Sequence, residues 1–286
     1  MVIEKQGGLR VRHLIRLDGG WDRNRLAQFF DMADQYDRGA GPQFNGGAVL
    51  FFPPSSLRTR VAFEMGAAKL GLHTVAFPPE SLDKPEALED VVGYLSQWTD
   101  LLIVRHPDIA VLDGLAASNA MPVINAMTDE NHPCEVLSDL YSIARTRDPL
   151  SLRYAFVGAD GNIARAWHEA ASAFGLDLVQ CCPADIATPD TTSTNDLYEA
   201  LRDADIVITD GPGRHAEALR PFQVTADALA HAAKDVQLIP CPPFIRGREV
   251  SADAIASPAF AGYAFKQALM PAQQAIMALA LDLSRS

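Results

Sequence analysis

Positive charge is scarce in this chain. Its 24 lysines and arginines face 36 aspartates and glutamates, which leaves a formal net charge of -12 and a pI near 4.9. A nucleic-acid partner calls for a basic footprint, so none is expected, and any anionic ligand must be held by locally gathered cations. Cysteine is also sparse. Cys134, Cys181, Cys182 and Cys241 show neither paired metal-ligand spacing nor a small disulfide framework. No metal is expected, and a reducing, cytoplasmic location is. Long hydrophobic runs are missing as well, so no membrane span is expected. Residues 1–12 lack the apolar core of a signal peptide. The Gly-x-Gly-x-x-Gly spacing of a dinucleotide site is absent around Gly158 and Gly161, and no organic cofactor is expected.

What is present suits two domains of ordinary size: 286 residues, 48% of them hydrophobic. Short apolar runs at 48–52, 73–77, 100–104, 122–126, 154–158, 177–182, 206–209 and 236–239 read as buried strands. Helical spacing fills the intervals. Strands alternating with helices predict an α/β fold of open, doubly wound parallel sheets. One or two helices are predicted over 13–36, punctuated by Gly19-Gly20, and a last one over 271–283. After the first strand, Val61, Met65, Ala68 and Leu72 are spaced to form one apolar helix face.

The chemistry concentrates where strands end. Phe52-Pro53-Pro54-Ser55-Ser56-Leu57-Arg58-Thr59-Arg60 joins the first strand to a helix. Prolines stop the ladder, and the helix N-terminus offers unpaired N–H groups and a dipole that favours an anion. Ser56 and Thr59 add hydroxyls, and Arg58 adds a planar fork suited to phosphate. Residues 81–90 form a polar loop carrying Lys84, stiffened by Pro85. Arg105-His106-Pro107 follows the third run, at the strand end where α/β ligands bind. His132-Pro133 opens a helix after the fourth, with Pro133 in a favoured first-turn position.

These segments resemble the aspartate and ornithine transcarbamylase (carbamoyltransferase) family over nearly the whole chain. Ser56 to Glu64 is similar to the family's Ser-Thr-Arg-Thr-Arg-x-x-Phe-Glu loop, with Leu57 in place of threonine. Lys84 resembles a lysine that reaches a neighbouring subunit's phosphate. His132-Pro133-Cys134-Glu135 to Asp139-Leu140 resembles His-Pro-x-Gln-x-x-x-Asp-Leu, with Glu135 replacing glutamine. A carboxylate there accepts from the carbamoyl NH₂ but cannot donate. Gly158 to Asn162 looks like the ornithine-type turn whose asparagine holds the acceptor's amino-acid head. After Asp210, the ornithine-type serine and methionine are gone. Cys241-Pro242-Pro243 and Arg246 to Val250 resemble His-Cys-Leu-Pro…Arg-Gly-x-Glu-Val, in which the Leu-Pro bond is cis. Phe265-Lys266-Gln267-Ala268 lacks the Glu-Asn-Arg or Glu-Asn-Gly expected nearby.

The resemblance implies two doubly wound parallel-sheet domains of the carbamoyltransferase fold, with the active site in the cleft between them, in a homotrimer. Residues 1–133, with a helix over 270–286 packing back on them, would bind carbamoyl phosphate. Residues 134–269 would bind the acceptor. Implied for carbamoyl phosphate are Ser56, Leu57, Arg58, Thr59, Lys84, Arg105, His132 and Glu135, with Arg105, His132 and Thr59 catalytic. Implied for the acceptor are Asn162, Asp210, Cys241 and Pro242. The expected reaction moves the carbamoyl group to an amine of an amino acid or related metabolite, most readily a diamino acid other than ornithine or an acceptor of specialised metabolism. Ornithine, aspartate or a catalytically silent scaffolding paralogue are the alternatives.

Overall fold

The computed structural model describes residues 13–18 and 20–284, the side chains only to residue 282. The expectations on residues 1–12, on Gly19 and on the Leu283 side chain lie outside the described residues. The chain divides into two compact units, residues 1–128 with 270–286, and residues 129–269.

Unit 1 holds a parallel sheet of β1 (Gly46–Phe51), β2 (Leu72–Phe77), β3 (Leu101–Arg105) and β4 (Val123–Met127), in the order β2-β1-β3-β4. Its helices are α1 (Arg23–Asp37), α2 (Arg58–Lys69), α3 (Leu88–Leu95) and α4 (Ile109–Ala117). The strands are nearly continuous apolar runs because a parallel sheet is covered on both faces. Val49, Leu102, Val104, Leu112, Leu115 and Val123 form the core on one side. A helix at Leu269–Ser284 belongs to this unit and lies against α2, where a Cβ on Gly66 would come 3.3 Å from both Gln274 and Met277. Gly71 ends α2 at φ +85°, and a Cβ there would lie 2.4 Å from the Phe44 carbonyl oxygen, so only glycine fits.

Two expectations are corrected here. Residues 13–15 are extended rather than helical: Leu14 donates to the Val123 carbonyl, and Asn125 donates back to Leu14. Backbone pairing with β4 overrides the helical spacing, and the helix begins only at Arg23, capped by Asp22. The apolar face drawn through Val61, Met65 and Ala68 is not the inner face of α2. Val61 and Met65 are each 52% exposed, and Thr59, Phe63, Gly66 and Ala67 are buried instead. Small residues let the neighbouring helix approach closely, so the buried stripe is the less hydrophobic one; Leu72 is buried, but as the first residue of β2.

Unit 2 holds β5 (Arg153–Val157), β6 (Asp177–Cys181), β7 (Ser193–Thr194), β8 (Ile206–Thr209) and β9 (Gln237–Pro240), all parallel, in the order β7-β6-β5-β8-β9. Helices α5 (Pro133–Ala144) and α6 (Asn162–Phe174) are its long ones. The short β7 was not foreseen. Ala155, Leu201, Val207, Val224, Leu238 and Val250 build one core. Both sheets are of the doubly wound type expected. Among the described residues no helix is long and apolar enough to cross a membrane.

Candidate active site

In open parallel sheets, ligands bind beyond the carboxyl ends of the strands where the strand order reverses direction. In unit 1 the reversal falls between β1 and β3. The loop after β1 carries Ser56, and β3 ends in Arg105; these two meet, the Arg105 guanidinium donating to Ser56 Oγ at 3.0 Å. The register of β3 against β4 shifts between Val104 and Arg105. Such a slip re-aims the last side chain of a strand. Ser56 (4% exposed) and Thr59 (8%) are buried, whereas Leu57 and Arg58 are exposed. Leu57 caps α2 without a side-chain hydrogen bond, so the first turn keeps its N–H groups for a ligand. Lys84 is exposed. Its neighbour Asp83 is joined to His106 Nε2 at 3.0 Å, which ties the Lys84 loop to the end of β3. His106 Nδ1 meets the Asp108 backbone, and this histidine serves the loop's structure.

In unit 2 the reversal lies between β5 and β8. Asn162 opens α6 just beyond β5, and Asp210 follows β8 directly. Asp210 accepts from the Gly211 N–H at 2.8 Å. Burial, then the charges of Glu249 and Glu135, push its carboxyl up to about 6, against the pull of the Gly211 hydrogen bond. A pocket of about 260 Å³ lies beside it, lined also by Glu217, Arg220, Phe222, Arg248 and Glu249. Glu249 is 8% exposed; Oε1 accepts from the Ile245 N–H at 2.7 Å, and Oε2 is buried without a hydrogen-bond partner. Cys241 is buried, and burial followed by the Glu135 charge raises its thiol well above the ordinary range. That disfavours a thiolate nucleophile. The Pro242-Pro243 bond is cis.

His132 is the N-cap of α5, with Pro133 in the first turn. His132 Nε2 lies 3.9 Å from Glu135 Oε2. The other oxygen, Oε1, accepts from Lys266 Nζ at 2.6 Å, and Lys266 also donates to Asp139 at 2.5 Å. Sequence reasoning assigned no role to Lys266, Asp139 or Glu249. Lys266 stands 131 residues from Glu135, and no spacing rule joins them. Asp139 does carry a local signal, since residues four apart share a helix face. Among the described residues, no group of three or more His, Cys, Asp or Glu side chains is arranged to hold a metal ion.

The sequence of residues 12–145 matches the carbamoyl-P binding domain of the aspartate/ornithine carbamoyltransferases, and residues 151–280 match their Asp/Orn binding domain. An ornithine carbamoyltransferase of Oleidesulfovibrio alaskensis is 35% identical over 84% of this chain and 87% of its own length. That of Geobacter sulfurreducens is 29% identical over 94% and 98%. Among solved structures, the ornithine carbamoyltransferase from Pyrococcus furiosus superposes with a TM-score of 0.89 at 25% identity, covering 96% of this chain and 99% of that one. The chain is an enzyme belonging to the aspartate/ornithine carbamoyltransferase family.

Proposed function

We propose that this carbamoyltransferase uses carbamoyl phosphate to carbamoylate one amine of a diamino acid other than ornithine. The first domain, 1–133 with the helix over 270–286, binds carbamoyl phosphate, and 134–269 binds the acceptor. An unprotonated amine attacks the carbonyl carbon, the C–O bond to phosphate breaks, and inorganic phosphate leaves with that electron pair. The ammonium proton of the product-forming intermediate passes to solvent or to the departing phosphate. Ser56, Arg58, Thr59 and the first turn of α2 hold the phosphate, with Leu57 lining the loop and Lys84 added. Arg105, His132 and Thr59 stabilise the developing oxyanion, which is usually the largest catalytic contribution. Glu135 accepts from the carbamoyl NH₂. Asn162, Asp210, Cys241 and Pro242 surround the acceptor.

The observation that carries the acceptor class is the pocket that joins half-buried Asp210 and buried Glu249 to Arg220 and Arg248, which are exposed. Its carboxylates suit the non-reacting ammonium, and its arginines suit a carboxylate. A second carboxylate, as in aspartate, would face Asp210, Glu249 and Glu217. The relatives named ornithine carbamoyltransferase support a diamino acid. Residues 211–215 replace the ornithine-type segment, which supports a shorter acceptor than ornithine. Phosphate release from carbamoyl phosphate, measured across ornithine, shorter diamino acids and aspartate, tests this. Highest kcat/KM is expected with a shorter diamino acid. Preference for ornithine would remove the distinction from ornithine, and preference for aspartate would remove the acceptor assignment altogether.

The assembly we propose is a homotrimer acting in the cytoplasm. Leu57 (68% exposed), Val61 and Met65 run along α2, and Val75 (50%) and Phe77 (43%) lie on the edge strand β2. An apolar stripe beside an unpaired strand edge suits a second copy of the chain. Lys84 then reaches the neighbour's phosphate. Mixing inactive Lys84→Ala and Arg58→Ala subunits is expected to restore activity in hybrid trimers, because some interfaces then carry both intact side chains. Verified hybrids without recovery would put Lys84 out of the neighbour's site.

A further inference from the structure

Gln180 is a fully buried polar side chain within strand β6. Such a place costs stability unless the amide is met by partners. Its Oε1 accepts from His168 Nε2 of α6 at 3.1 Å and from the Thr188 N–H at 3.0 Å, and its Nε2 donates to the Gly158 carbonyl at 2.9 Å. The two backbone partners fix which end of the amide is which: reversed, it would set NH₂ against the Thr188 N–H and oxygen against the Gly158 oxygen. His168 must then carry its proton on Nε2. Burial lowers the ring's affinity for a second proton, against the Gln180 hydrogen bond and the Asp160 charge, so His168 is neutral at working pH.

One side chain thus joins α6, the segment 183–192 between β6 and β7, and the turn 158–162 between β5 and α6. That turn opens α6 at Asn162. The rest of it is held from the same side. The Gly158 N–H donates to the Cys181 carbonyl at 3.2 Å, and the Asp160 N–H to the Ile186 carbonyl at 2.7 Å. Arg165 Nε and Nη2 meet the two Asp160 oxygens at 2.9 and 2.5 Å. Gly158 also lies beside the loop after β8, since a Cβ on it would come 3.8 Å from the Asp210 backbone nitrogen. An apolar side chain is the ordinary occupant of a buried parallel strand. The amide stands instead where it reaches the backbone between two acceptor-binding positions, Asn162 and Asp210.

We infer that Gln180 is a positioning residue for the acceptor: by holding the Gly158 carbonyl it fixes the turn that sets Asn162 at the head of α6. This deepens the proposed function and rests on its reading of Asn162 as an acceptor-binding residue. Gln180, wholly buried, acts through the turn rather than on the acceptor.

The test is a double-mutant cycle on the full chain, with ornithine and 2,3-diaminopropionate as acceptor probes, reading acceptor KM, carbamoyl-phosphate KM and kcat. Gln180→Leu is expected to raise acceptor KM about tenfold, as leaving a buried carbonyl without its donor does, while carbamoyl-phosphate KM stays within about twofold. Gln180→Glu keeps the two accepted bonds and loses the donated one, so an ionised carboxylate there should raise acceptor KM about as far. His168→Leu leaves the Gly158 bond in place and should raise it about threefold or less. In an Asn162→Ala background, Gln180→Leu should change acceptor KM by less than about twofold, because the residue it works through is already gone. A Gln180→Leu enzyme whose acceptor KM rises less than about threefold would overturn the inference, as would a tenfold rise that persists on top of Asn162→Ala. If Gln180→Leu does not fold, Gln180→Met, unbranched like glutamine, decides by the same two criteria. Asn162→Ala with an unchanged acceptor KM, or a parent enzyme that releases no phosphate with either probe, would instead bring down the functional reading, and this inference with it.

Discussion

Replacing Arg105 by alanine is expected to lower kcat/KM for carbamoyl phosphate by about 10²–10³, the usual consequence of removing one donor to a developing oxyanion. That corresponds to about 3–4 kcal/mol of lost transition-state stabilisation. Arg105 ends β3 at a register slip, half-buried, and its guanidinium is held by Ser56 at 3.0 Å. The side chain is thereby preorganised before any substrate arrives, and little has to move when charge develops. The loss should fall on kcat more than on KM, since the interaction grows as the carbonyl oxygen gains charge. Arg105→Lys should recover little, because a point ammonium cannot serve Ser56 and a substrate oxygen in the same plane. Ser56→Ala separates positioning from binding: it should cost less than Arg105→Ala while loosening the same side chain. Thermal unfolding should change by only a few degrees, as expected for a side chain at a strand end rather than in the core. Arg105→Ala retaining kcat/KM within tenfold would exclude it from the oxyanion site.

The parts of this enzyme that are local in sequence could be read from it. Each buried parallel strand is a short apolar run, and the residues just past it stand where the sheet's topology puts ligands. Ser56 and Arg105 stand out by that position, Asn162 and Asp210 by the family resemblance, and the strand orders bring both reversals to those loops. Where reading failed, a non-local contact had won. Leu14 takes a place beside Ile124 on β4 instead of a turn of helix. Val61 and Met65 look like a core stripe by spacing, yet the stripe with Gly66 and Ala67 is the one that lets the C-terminal helix approach. Lys266 was invisible for the same reason. Its meaning lies in two carboxylates on α5, and periodicity carries no information across such a separation.

Asp210→Asn should make the protein more stable and the enzyme worse. In the unfolded chain this carboxyl titrates near about 3.9, whereas in the fold burial, Glu249 and Glu135 push it up to about 6. The folded state thus holds a proton that the unfolded state has released between those values. Stability falls as pH rises through that window, and above it the partly desolvated charge costs at most on the order of 2–3 kcal/mol. Asparagine removes the charge, and its oxygen can still accept from the Gly211 N–H. The variant should therefore melt a few degrees above the parent at pH 8, with the gap closing toward pH 4–5. For the acceptor the sign is opposite. An ammonium loses a charge-assisted hydrogen bond worth about 1.5–3 kcal/mol, so acceptor KM should rise about 10- to 100-fold while KM for carbamoyl phosphate holds. A structural Asp210 predicts the reverse pattern: lower melting at every pH and an unchanged acceptor KM. Keeping a carboxylate there at the expense of stability makes sense only if a cation comes to meet it, and Glu249, with its second oxygen buried and unpartnered on the same pocket, stands ready to share that cation.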